Sequence, residues 1–153
     1  MSSQPQRICV AITGASGAVY SVRVIEVLLA TGHDVHLSIS PSGAHVIREE
    51  MELNVDLDDF QPAQLMLEDI TVAADSKIRL LRASAGMGTA DSNVLSVESG
   101  RVGDLIYHHY QDFQAPIASG SFVTRGMVVC PCSGTTLSAI AHLASLPAAP
   151  SSS

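Results

Sequence analysis

Ile8-Cys9-Val10-Ala11-Ile12, followed directly by Thr13-Gly14-Ala15-Ser16-Gly17, is the stretch from which the rest of the chain is read. The first five residues form a short, almost wholly apolar run, typical of a parallel strand buried on both faces. The next five bring no bulk. Ala18, Val22, Ile25 and Leu29 then recur at intervals of 4, 3 and 4 residues, one stripe of an amphipathic helix. Gly32 is placed to stop that helix. Val35 to Ile39 reads as a second strand and ends at Ser40-Pro41. Strand, helix and strand make one βαβ unit, and the expected class is α/β with an open parallel sheet.

The turn at Gly14 to Gly17 points to an anion. Backbone N–H groups at the start of a helix are unpaired, and the helix dipole adds partial positive charge there. Small residues let a phosphate approach, and the Ser16 hydroxyl adds a donor. The pattern is not G-x-G-x-x-G, because Ser16 and Val19 stand where the second and third glycines belong. It is not a P-loop, since no Gly-Lys-Ser/Thr follows. The same residues also suit a tight strand-to-helix connection that binds nothing.

With 153 residues the chain is expected to be one domain. Charged residues make up only 15% against 46% hydrophobic, and mean hydropathy is +0.28. So few charges suggest that partner subunits cover part of the surface, which predicts a homo-oligomer. A net charge of −7 argues against nucleic acid as the main partner. No apolar stretch reaches the ~20 residues of a membrane span. The polar start, Met1 to Arg7, shows no signal peptide, so no membrane partner is expected. Cys9, Cys130 and Cys132 are odd in number and build no disulfide framework, which predicts a reducing cytoplasm. Cys130-Pro131-Cys132 fits strand-end packing better than metal binding, and no metal site is expected.

Ser42 to Glu52 reads as a second helix, with Ser42 able to cap it and Ala44, Val46, Ile47 and Met51 on its apolar side. Glu49, Glu50 and Glu52 crowd its end, either as a solvated face or with one carboxylate facing the first turn to handle protons on a phosphate ester. Asn54 to Asp75 is acidic and irregular, with helix expected at Gln64 to Asp69. Ile78 to Leu81 and Val94 to Val97 are strand candidates, and residues 57–111 as a whole carry little information. His108-His109 reads as a surface pair.

The pattern sharpens again after Ala115. Ala118-Ser119-Gly120-Ser121 is a small polar loop, and Gly126 to Pro131 reads as a buried strand. Cys132-Ser133-Gly134-Thr135-Thr136 is a second hydroxyl-rich turn, and Leu137, Ile140 and Ala141 open a helix after it. In open α/β sheets such turns share the edge where ligands bind. Ser16, Ser40 and the Ser133 turn therefore converge on an uncharged phosphate cradle, lacking Lys and Arg and relying on helix N-termini and hydroxyls.

The blocks Ile12 to Tyr20, His36 to Ser40, Ala115 to Ser121 and Met127 to Ala141, in that order, resemble the flavin prenyltransferases of the UbiX type. The resemblance covers Arg7 to Glu50 and Tyr110 to His142. It implies a Rossmann-type, flavodoxin-like open parallel sheet with helices on both faces, in a homo-oligomer. It implies transfer of a dimethylallyl group from dimethylallyl phosphate to N5 and C6 of reduced FMN, without metal. The product then serves a UbiD-type decarboxylase in ubiquinone synthesis or on aromatic acids. On the matching positions, Gly14, Ala15 and Ser16 line the FMN site, and Ser40, Ser133, Gly134, Thr135 and Thr136 hold the flavin. Ser16, Glu50 and Ser119 are the implied catalytic residues, Ser16 at the flavin edge, Glu50 assisting proton transfer as phosphate leaves, Ser119 beside the isoprenoid. Phe113 is matched either to a prenyl contact or to plain core packing.

After His142 the family continues with a basic stretch, further strands, and a distal Tyr and basic residue for the substrate phosphate. Here Leu143 to Ser153 is instead a low-complexity tail. The expectation is a truncated or frame-shifted member: a flavin-binding domain over 1–142 that lacks the last strands, then a tail over 143–153, with weakened FMN binding and poor prenyl transfer. A non-catalytic FMN- or phosphate-binding fragment is the alternative reading. A flavin-dependent cysteine decarboxylase of the same fold is another, although such enzymes show Pro-Ala-Ser-Ala-Asn-Thr where this chain has Pro-Cys-Ser-Gly-Thr-Thr.

Overall fold

The computed structural model describes residues 6–65 and 102–143. β1 (Arg7–Ile12), α1 (Ala18–Ala30) and β2 (Asp34–Ile39) form the expected βαβ unit. The helical stripe is real, because Ala18, Val22, Ile25 and Leu29 are all buried. The helix ends where expected, with the Gly32 N–H donating to the Leu29 carbonyl at 3.0 Å.

α2 (Pro41–Met51) follows β2 at once. Its cap is Ser40 rather than the expected Ser42: Ser40 is extended, and its side chain accepts the Gly43 N–H at 3.0 Å. The reason is Pro41, whose fixed φ and missing N–H suit the first helical position and put the cap at Ser40, two residues before the expected one. Pro62–Gln64 is one turn of 3-10 helix that ends at Leu65, and residues 66–69 of the helix expected at 64–69 lie outside the described residues. So do the strand candidates at 78–81 and 94–97 and the tail after 143.

β3 (Leu105–Tyr107) was not expected from the sequence. β4 (Gly126–Val129) and α3 (Gly134–Leu143) were. The four strands run parallel in the order β3-β2-β1-β4. The chain therefore winds outward from β1 through β2 to β3, then returns to the other side of β1. That reversal is the switch point of a doubly wound sheet, where ligands bind outside the carboxyl ends of the strands.

Side chains alternate across the sheet. Val10, Ile12, Val35, Leu37 and Ile39 point to the face that meets Val22, Ile25 and Leu29 of α1 and Ile47 of α2, and together they are the core. Tyr107 extends this cluster; its hydroxyl donates to the Leu57 carbonyl at 3.0 Å, and burial pushes its pKa up to about 12. The opposite face carries Cys9 and His36, in register with one another and with Met127 and Ile106.

β4 is not the buried strand its composition suggests. Met127 is 65% exposed, and all four of its residues are exposed or half-buried. Among the described residues it pairs on one side only, with β1. His108 is not the free surface residue expected: it is half-buried and partnered. Its Nε2 lies 2.8 Å from Nδ1 of His36, with the ring planes within 10° of parallel, and Phe122 meets His36 edge-on. This pair sits on the sheet face opposite the core cluster, beside Cys9.

Candidate functional site

The site lies at the carboxyl ends of β1, β2 and β4. β1 delivers Thr13 to Gly17, β2 delivers Ser40, and β4 delivers Cys130 to Thr136. Gly14 is required by packing, because a Cβ there would collide with the Ser42 side chain. Gly17 caps α1 with φ of 110°, a left-handed conformation that other residues adopt only at a cost.

The first turn of α1 has no capping side chain of its own and no acidic residue. Glu50, at the far end of α2, supplies what is missing. Its carboxylate accepts the Ser16 hydroxyl at 2.6 Å, the Gly17 N–H at 3.0 and 3.2 Å, and the Ala18 N–H at 2.8 Å. The Ser16 hydroxyl and then the two N–H groups hold its pKa below the usual glutamate value. The turn is thus an anion site in the literal sense: its donors converge on a carboxylate 32 to 34 residues away.

The second turn is preorganised in its own way. Ser133 caps α3, its hydroxyl accepting the Thr136 N–H at 3.1 Å and lying 2.8 Å from the Thr136 hydroxyl. Gly134 faces open space, and Gly134 and Thr135 are exposed. Ala15 donates its N–H to the Thr13 carbonyl at 2.9 Å, which curls the first turn. The Ser40 hydroxyl is occupied by its cap.

The structure therefore brings Ser16 and Glu50 into direct contact and sets Ser133 and Thr136 side by side. Ser119 does not join them. Its hydroxyl bonds to the hydroxyl and N–H of Ser121, within its own exposed turn. Phe113 is 84% exposed, which removes the core-packing reading. Cys132 is exposed and Cys130 half-buried. Among the described residues no three His, Cys, Asp or Glu side chains gather as a metal would need.

One residue of the site had no role in the sequence reading. Thr13 ends β1, and its hydroxyl donates to the Pro131 carbonyl at 2.7 Å while accepting the Ser133 N–H at 3.0 Å. A hydroxyl at a strand's end, just before a glycine, is the only local signal it offers.

A parallel sheet with small, hydroxyl-bearing turns on both sides of its switch point defines a nucleotide- or flavin-type binding domain. The family model described as "Flavoprotein" matches residues 1–143, and the chain belongs to that family. The flavin prenyltransferase UbiX of Halalkalibacterium halodurans is 34% identical over 136 residues, 89% of this chain and 50% of the relative. That of Alkalihalophilus pseudofirmus is 33% identical over 146 residues, 95% of this chain and 57% of the relative. The chain spans about half the length of these curated relatives. Among solved structures, AnUbiX in complex with FMN and dimethylallyl pyrophosphate is 28% identical, with a TM-score of 0.55 over 90% of this chain and 50% of that one. No described helix is long and apolar enough to cross a membrane.

Proposed function

We propose that the chain binds FMN at the switch point and belongs to a flavin prenyltransferase that takes dimethylallyl phosphate, its product serving a UbiD-type decarboxylase. The observation that carries the reading is the convergence of the Ser16, Gly17 and Ala18 donors on one anionic group, beside the Ser133 cap of α3. The similarity to UbiX proteins, one of them solved with FMN, supports the choice of cofactor. The residues suit that group: small turns, hydroxyls in place of lysines, and an open Gly134.

Gly14, Ala15, Ser16 and Ser40, with Ser133 to Thr136, are the proposed flavin-holding residues. Reduced FMN, when bound, supplies the nucleophilic positions that accept the prenyl group. The chain's own part is to bind and orient phosphates and to manage a proton at Glu50. While Ser16 and the α1 N-terminus hold it, Glu50 is a carboxylate at neutral pH and accepts protons rather than delivering them. A phosphate that takes those donors leaves Glu50 without them and beside a second negative charge, which raises its basicity and lets it take a proton. Ser119 is proposed to act beside the isoprenoid, from an exposed turn in which its hydroxyl meets that of Ser121. The flavin-binding unit is placed at 1–142, in the cytoplasm, and as a homo-oligomer that covers apolar side chains such as Met127 and Leu137.

The test is an FMN titration of the purified chain, read by flavin fluorescence. Saturable quenching is expected, with Ser16→Ala weakening it about tenfold, as for a lost hydrogen bond to a charged group. Dimethylallyl phosphate added to the reduced complex is then expected to change the flavin spectrum. Absence of saturable quenching at micromolar FMN overturns the binding reading; quenching without the spectral change overturns prenyl transfer by this chain.

A further inference from the structure

The two turns of the site belong to different parts of the chain, and the direct β1–β4 pairing stops before reaching them. The last paired residues are Ala11 and Val129, followed by the Cys130 N–H donating to the Ala11 carbonyl at 2.9 Å. Beyond that point β1 turns into α1 and β4 into α3. The described hydrogen bonds that then cross between the two turns all run through Thr13. Its N–H and its hydroxyl both donate to the Pro131 carbonyl, at 3.3 and 2.7 Å, and its hydroxyl oxygen accepts the Ser133 N–H at 3.0 Å.

We propose that Thr13 is a positioning residue: its hydroxyl sets the separation of the Ser16 turn and the Ser133 turn, and cofactor binding at the switch point depends on it. The chemistry is specific to a hydroxyl. One group must donate to a carbonyl and accept from an N–H at the same time, which Ser and Thr do and Val does not. Its acceptor function is tied to the residue that caps α3, because Ser133 also receives the Leu137 N–H on its carbonyl and the Thr136 N–H on its hydroxyl. Its donor function is tied to Pro131, a residue with no N–H of its own to anchor it. Three residues further along, the same turn presents Ser16 to its anion. Moving Thr13 off this contact lets the two sets of donors drift apart, and a rigid ligand that touches both loses affinity through misplacement rather than through a lost contact.

The dependence on Thr13 rests on the FMN reading, so the experiment has a ligand-free arm. Thr13→Val and Thr13→Ser are made in the full chain. Amide hydrogen exchange at Ser133 is followed without ligand, and FMN affinity is followed by fluorescence. Thr13→Val is expected to speed Ser133 exchange and to weaken FMN about tenfold, the scale of one well-placed hydrogen bond. Thr13→Ser is expected to restore both, which a loss of packing by the methyl group does not do. Should the unaltered chain fail to bind FMN, the functional reading falls, while the exchange arm still tests the placement of the turns. Unchanged Ser133 exchange in Thr13→Val, unchanged FMN affinity in it, or equal loss in both variants overturns the proposal. Should Thr13→Val unfold the chain, Thr13→Ser and Thr13→Cys carry the comparison, Cys being a weak donor and weak acceptor expected to fall below Ser in FMN affinity; equal affinity of the two overturns the proposal.

Discussion

The two flanks of β1 are held by different forces. Toward β2, six residues pair in register, and their inward side chains meet the stripes of α1 and α2 in a dry core. Toward β4, four residues pair, the strand lies largely open, and order at its end depends on hydrogen bonds around Thr13 and Ser133. The first flank is stabilised by burial, which does not depend on direction. The second is set by directional bonds between small polar groups, which add little net stability but fix geometry. A binding edge needs the second kind, because a packed core leaves a ligand no room.

The sharpest way to break this comparison is Ile25→Ala. Ile25 is fully buried on α1, and its truncation is expected to lower unfolding stability by about 2–5 kcal/mol, measured by denaturant titration. A cost below about 1 kcal/mol would mean the α1 flank is not the core. Gly14→Ala comes next. The added methyl meets Ser42 across the base of the site, and a loss of about 1–3 kcal/mol is expected, with α2 displaced. A neutral Gly14→Ala would show that the turn and α2 are not in close contact.

A pH titration sharpens the contrast on the less apolar face. Burial lowers the pKa of His36, with help from His108 and Arg7 and against Asp34. Burial also lowers that of His108, against Asp112. Both folded values lie below the ordinary 6.5, so the unfolded chain takes up protons first as pH falls. Stability is complete above about 6.5 and declines as pH drops through the folded values. The bond between the rings makes the direction firm, since two imidazolium rings have no acceptor to share. Thermal midpoints from pH 8 to 5 are expected to fall, with a shallower fall in His108→Gln; an identical slope in that variant would remove the pair as the cause. The smallest effect is expected for Leu137→Ala on α3. Leu137 is 62% exposed, and its truncation is expected to change stability by less than about 0.5 kcal/mol. A cost as large as that of Ile25 would mean that this flank too is a core.

Much of this was legible in the residues. The βαβ unit was, because an apolar run, a glycine turn and a 3-4-4 stripe are local patterns whose periods are dictated by backbone geometry. So was the anion-accepting start of α1, because unpaired N–H groups at a helix start are a property of any helix, and here they meet the Glu50 carboxylate. Glu50 was read as either a solvated face or a carboxylate turned to the first turn, and its bonds to Ser16, Gly17 and Ala18 decide for the second. The Ser42 cap was misread by two residues because Pro41 outweighs the hydroxyl. β4 was read as buried because composition reports how apolar a strand is and not what lies against it. β3 is three residues long and offers too short a pattern to see.

What the sequence determined alone is thus whatever depends on residues a few positions apart: where α1 and the flanking strands begin and end, and which turns are small enough to admit an anion. What only the tertiary structure decided is which distant groups meet. Glu50 with the α1 N-terminus, His36 with His108, and Thr13 with Pro131 and Ser133 are separated by 32 to 120 residues. No periodicity encodes such pairs. They exist because parallel pairing of β1 with β2 and β4, and of β2 with β3, brings residues from distant parts of the chain side by side, where their polar groups satisfy one another.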